Sequence, residues 1–214
     1  MVIAQAEDAL FTQWRLSRPD FVADGVIDEA SFLASQPRVV FLLKEVNDTS
    51  GIGRWDLRDY VRGSARGRTW DNIARWTHIL RNRGLDTPWR RVLAIQHSER
   101  ADLLHSIAVV NLKKSPGKYV AVEPAIYQAA VTDRDLLRTQ VAIYDPDVIV
   151  WCGTDGSSLL GEPCEWHQTQ RGVNYCRSPR GKIAIRYSHP SARVADPLLY
   201  YGLCDAVREI LAVA

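Results

Sequence analysis

The chain has 214 residues, 46% apolar and 24% charged, with a net charge of +2 at pH 7. That suffices for one folded domain spanning residues 1–214 with a sizeable core, and no apolar run approaches the roughly 20 residues that cross a bilayer. So small a net charge does not by itself point to nucleic acid, and the early acids of MVIAQAEDALFTQW argue against a signal peptide, making the cytoplasm the expected location.

In chain order, AEDALFTQWRL (6–16) has a helical pattern and precedes VVFLL (39–43), an unbroken apolar run. That run passes directly into Lys44, Glu45, Asn47 and Asp48, so a core strand ends on a cluster of polar side chains. Between Arg54 and Arg91 stand ten arginines against four acids, and Arg54, Arg58, Arg62 and Arg66 recur every fourth residue. On a helix they would share one face, which suits either solvent or phosphate. TWDNIARWTHILRNR (69–83) places Ile73, Trp76, Ile79 and Leu80 on one stripe and predicts a second helix.

IAVVNL (107–112) reads as a second strand, closed by Asn111 and followed by NLKKSPGK with Lys113, Lys114 and Lys118 around a Pro-Gly turn. EPAIYQAAVTDRDLLRTQVAIY (123–144) predicts a helix, DVIVWCG (147–153) and KIAIRYS (182–188) two more strands, and PLLYYGLCDAVREILAV (197–213) a final helix. Near-continuous apolar strands are those covered on both faces. Alternation with helices predicts an α/β fold, a three-layer α/β/α sandwich on a mostly parallel four-stranded sheet. The four cysteines (152, 164, 176 and 204) have neither Cys-x-x-Cys nor zinc-site spacing, and are expected to be buried free thiols.

In such sheets chemistry gathers at the carboxyl ends of the strands. Three of the four predicted strands close on polar groups there, which core packing does not require. Glu45, Asn47 and Asp48 suit positioning or activating a water, the Asn111 amide complements the edge of a base, and the lysines suit phosphate. In YSHPSAR, Pro190 biases His189 toward an extended, held conformation. A hydrolase using Ser188 or Ser191 with His189 lacks a Gly-x-Ser-x-Gly elbow, and its serine is expected to point away from the histidine. Walker, dinucleotide-binding and His-Glu-x-x-His motifs are absent.

Taken together, LLKEVND, VVNLKKSPGK, YDPDVIVWCG and SHPSAR resemble, in order and spacing, the motifs of the uracil-DNA glycosylase superfamily over residues 39–193. The resemblance implies excision of a flipped base by hydrolysis of its N-glycosidic bond, with no cofactor and no metal. Glu45 or, one register step away, Asn47 would position the water, and His189 would stabilise the departing base. Asn111, Asp48 and either Trp55 or Trp70 would bind the base. Arg54, Arg58, Lys113, Lys114, Lys118, Ser191 and Arg193 would hold DNA, and Ala192, Arg193 or Val194 would fill the gap in the duplex. The first motif lacks the superfamily's usual Gly and Pro, so a substrate other than plain uracil is implied: mismatched thymine, a deaminated purine or a hypermodified pyrimidine. The setting would be repair or defence against phage. The partner would be single- or double-stranded DNA met by a monomer at the nucleoid. A non-catalytic binder of DNA or of a modified base is the alternative, and a hydrolase of small nucleosides is a third.

Overall fold

The computed structural model describes residues 2–63, 65–118, 120–160 and 164–212. Its helices are α1 (Ile3–Ser17), α2 (Glu29–Ala34), α3 (Leu57–Arg62), α4 (Arg68–Arg81), α5 (Trp89–Ser98), α6 (Arg100–His105), α7 (Glu123–Thr132), α8 (Arg134–Tyr144) and α9 (Asp196–Ala212). Its strands are β1 (Gly25–Val26), β2 (Val39–Leu43), β3 (Ile107–Asn111), β4 (Val148–Cys152), β5 (Glu165–Gln168), β6 (Asn174–Arg177) and β7 (Ile183–Tyr187). Val213, the predicted last residue of the final helix, lies outside the described residues.

The sheet order is β1-β3-β2-β4-β7-β6-β5. The four strands expected from sequence form its contiguous middle, β3-β2-β4-β7, and pair in parallel. Period-two alternation divides β2 between two cores. Val39, Phe41 and Leu43 pack with residues of α4 and α9, whereas Val40 and Leu42 pack with α1 and α8. Helices therefore cover both faces, giving three layers.

Among the described residues the sheet has seven strands rather than four. β1 is two residues long, too short to show a pattern, and β5 (EWHQ) is exposed throughout, so neither carries the apolar run that marks a core strand. β5 and β6 form an antiparallel hairpin beyond β7. The predicted helix over 123–144 is broken at Asp133, whose buried carboxylate accepts from Arg18 Nε at 2.7 Å. The helix expected to align four arginines is only α3. Arg54 precedes it in a left-handed backbone conformation (φ 63°), and Arg66 follows it.

The cysteine expectation fails for half of the set. Cys152 and Cys204 are buried free thiols, but Cys164 and Cys176 form a disulfide that ties the start of β5 to β6. Among the described residues no helix is long and apolar enough to cross a membrane.

Candidate functional site

The chain leaves β2 toward β3 on one side and leaves β4 toward β7 on the other, so the carboxyl ends of β2 and β4 flank a switch point of the sheet. Lys44, Gly153 and His189 follow β2, β4 and β7 at this end. Gly153 is in the left-handed region (φ 64°), and a Cβ there would lie 3.0 Å from His189 Cβ, so the β4 turn presses against the histidine.

The loops after β2 and β3 continue the ladder. Leu112 N–H donates to the Leu43 carbonyl and Lys113 N–H to the Lys44 carbonyl, both at 2.9 Å. Gly117 N–H donates to the Val46 carbonyl at 2.7 Å. This pairing brings Lys113 Nζ to 2.5 Å from Glu45 Oε2 and to 2.8 Å from the Pro116 carbonyl. Gly117 sits directly on the Glu45 side chain: a Cβ there would be 2.2 Å from Glu45 Cδ. The Glu45 side chain is only 8% exposed, whereas Asn47 on the same loop is exposed. Lys44 is ion-paired to Glu123 at the start of α7.

His189 is held from three sides. Ser191 N–H donates to His189 Nδ1 at 3.2 Å, and Ser191 Oγ lies 2.8 Å from the same atom. A backbone N–H only donates, so Nδ1 is the unprotonated nitrogen and the neutral ring carries its hydrogen on Nε2. Burial, reinforced by the charge of Lys44, lowers the pKa below the ordinary 6.5 and favours that neutral form. From α4, Asn72 Nδ2 donates to the Pro190 carbonyl at 2.7 Å. Arg68 bonds the Val194 carbonyl, and Arg68 and Arg75 both pair with Asp196. Asn72 and Asp196, and the pairing of Arg75 with Asp196, were not legible in the sequence because a helix and a segment 121 residues away meet only in the fold.

The serine expected to point away from His189 does not: the turn after Pro190 folds Ser191 back onto Nδ1. Among the described residues no carboxylate bonds His189, so the pair lacks the acid that orients a hydrolytic triad.

Several predicted contacts are corrected. Lys114 is fully buried; Nζ donates to Asp24 Oδ1 at 2.5 Å and to Gln140 Oε1 at 2.7 Å, so it is not a phosphate ligand. Asn111 is 1% exposed, and its backbone N–H and Nδ2 both donate to Asp24 Oδ2. Its Oδ1 is buried without a hydrogen-bond partner among the described residues, so the donors of the amide serve the buried network while its acceptor does not. Arg58 pairs with buried Glu7 and with Asp56, which removes it from a DNA-facing stripe. Trp70 is 7% exposed and belongs to the core, which excludes it as a stacking platform. Asp48 is engaged by its own loop, accepting from Ser50, Gly53 N–H and Trp55 Nε1, so its acceptors are committed to structure.

Trp55 is half-buried, and Arg54, Lys118, Ser191 and Arg193 are exposed. Part of the wider arginine excess is structural: besides Arg58, Arg68 and Arg75, Arg81 donates to the Pro37 and Ser106 carbonyls. A scan against protein-family models matched none, and a search of curated proteins matched none. The site is thus interpreted from its own chemistry.

Proposed function

We propose that the protein is a DNA glycosylase, similar to the uracil-DNA glycosylase superfamily, that excises an altered base. The observation that carries this reading is His189: a held imidazole, its neutral form favoured, whose Nε2–H has no acceptor among the described residues at the carboxyl end of the sheet. Breaking an N-glycosidic bond puts negative charge on the departing base, and a fixed donor is strongest against charge that develops in the transition state. The target nucleotide first leaves the stack. Glu45, fixed by Lys113 under Gly117, offsets the positive charge of the sugar, and exposed Asn47 is the group free to hold the water. Exposed Arg54, Lys118, Ser191 and Arg193 hold the strand of a DNA partner, with no cofactor, metal or second copy required for these steps.

The test is a panel of DNAs carrying uracil, mismatched thymine, hypoxanthine or glucosylated hydroxymethylcytosine, read as alkali-labile abasic sites. One member should be cleaved, and His189→Ala should lower the rate roughly 10²- to 10³-fold, as removal of a single transition-state donor does. A second reading, a non-catalytic binder of DNA or a modified base, is favoured by one observation: the Glu45 carboxylate is already committed to Lys113. Retained DNA binding with no cleavage across the panel would select it.

A further inference from the structure

Beside the loop that follows β2 lies a surface depression of about 730 Å³, lined by Arg15, Arg18, Phe21, Arg54, Trp55 and Tyr60. That is within the range of small-molecule sites. Its acids, Asp56 and Asp59, are ion-paired to Arg58 and Arg62, the second pair at the exposed rim. Arg18 is likewise paired with Asp133. Arg15 and Arg54 are different. Among the described residues neither has an acidic partner: Arg15 lies over the Phe21 ring at 5.5 Å, and the one side-chain bond of Arg54 runs from Nε to the Pro19 carbonyl. Two exposed arginines therefore line the same depression as Trp55 and Tyr60.

The wall is built rather than incidental. Trp55 is oriented by its Nε1 bond to Asp48 at 2.9 Å and meets Tyr60 edge-on at 6.3 Å. Arg54 is held at φ 63°, a region uncommon for a residue with a side chain. Backbone bonds from Arg54 N–H to Phe21 and from Ala23 N–H to the Trp55 carbonyl, both 3.1 Å, keep it there. Strain sustained in this way at a cavity is the pattern of a binding site. Gly53 is pressed against the Asp20 carbonyl, 2.1 Å from where a Cβ would be, so only glycine lets the loop close.

We propose that this depression holds a nucleotide of the DNA strand flanking the target, its base on Trp55 and Tyr60 and its phosphate between Arg15 and Arg54. Aromatic faces accept any base, and arginine is suited to phosphate. The proposal rests on the DNA reading above and extends it. Asp48 joins the two places, since it is on the loop after β2 and also holds Gly53 and Trp55.

The experiment titrates the full chain with fluorescein-labelled single-stranded and duplex DNA between about 50 and 200 mM salt. Arg15→Ala/Arg54→Ala should lower the slope of log affinity against log salt by roughly 0.7 to 0.9, the loss of one neutralised phosphate. Trp55→Phe should remove most of the tryptophan quenching caused by DNA, and Arg90→Ala/Arg91→Ala, exposed on α5, should change the slope less. If the parent binds DNA but the Arg15/Arg54 variant keeps its slope, or the Arg90/Arg91 variant loses as much, the subsite is wrong and the DNA reading stands. If the parent binds no DNA at all, the reading beneath falls and takes the subsite with it.

Discussion

Replacing Lys114 separates two physical roles for one residue. In NLKKSPGK it reads as a phosphate ligand, whereas in the fold its ammonium is fully buried against Asp24, with Trp14 facing it 4.9 Å from the ring centroid. Lys114→Met keeps much of the volume and leaves the Asp24 carboxylate, 1% exposed, without its cation. Breaking a buried pair from one side costs about 3–5 kcal/mol. Here Asp24 retains three donors, Asn111 N–H, Asn111 Nδ2 and Gln140 Nε2, so the lower end, about 3 kcal/mol, is expected. At a urea m-value of about 3 kcal/mol/M, the midpoint should fall by about 1 M. Adding Asp24→Asn removes the stranded charge and should recover about 1–3 kcal/mol, a coupling that only contacting residues show. The reasoning fails if Lys114→Met moves the midpoint by less than about 0.3 M and instead flattens the salt dependence of DNA binding by about one contact.

Gly117→Ala should displace the Glu45 carboxylate, costing about 1–3 kcal/mol as an overpacked site and abolishing base excision in a protein that still folds by circular dichroism. Because the folded pKa of His189 is below 6.5, the unfolded chain takes up the proton first as pH falls. The stability this group contributes is therefore present above pH 6.5 and is lost as pH drops through 6.5 toward the folded pKa. The acid limb of kcat/KM should lie below 6.5, and Lys44→Met should move it upward without restoring 6.5, because burial is the larger cause; an unmoved limb removes Lys44 from the site. Thiol titration of the denatured, unreduced protein should find two free cysteines, Cys152 and Cys204, and all four after reduction. Cys164→Ser/Cys176→Ser should cost about 3 kcal/mol through loop-closure entropy, and four free thiols before reduction would dismiss the bond.

Apolar continuity alone located the four central strands, because a strand covered on both faces has no polar alternation to hide it. The same rule passed over β5, whose EWHQ is solvent-exposed and joins the edge of the sheet by pairing with β6. The polar strand ends at Lys44–Asp48 and Ser188–Ser191 were equally legible, since chemistry at the carboxyl ends follows from parallel topology. The arginine spacing misled: a four-residue repeat fixes a face only where a helix runs, and α3 spans just Leu57–Arg62.

Sequence by itself determined which segments are core and which strand ends carry polar groups, for both are properties of short contiguous stretches. It left open whether each polar side chain meets water or another side chain, because the partner comes from far along the chain. Lys114 and Asp24 are 90 residues apart, Lys113 and Glu45 are 68, and Asn72 and Pro190 are 118. Only the tertiary structure turned Lys114, Asn111 and Arg58 inward and left His189 Nε2 without a partner among the described residues. The physical reason is that a buried charge persists only beside a partner, and the partner is chosen by packing.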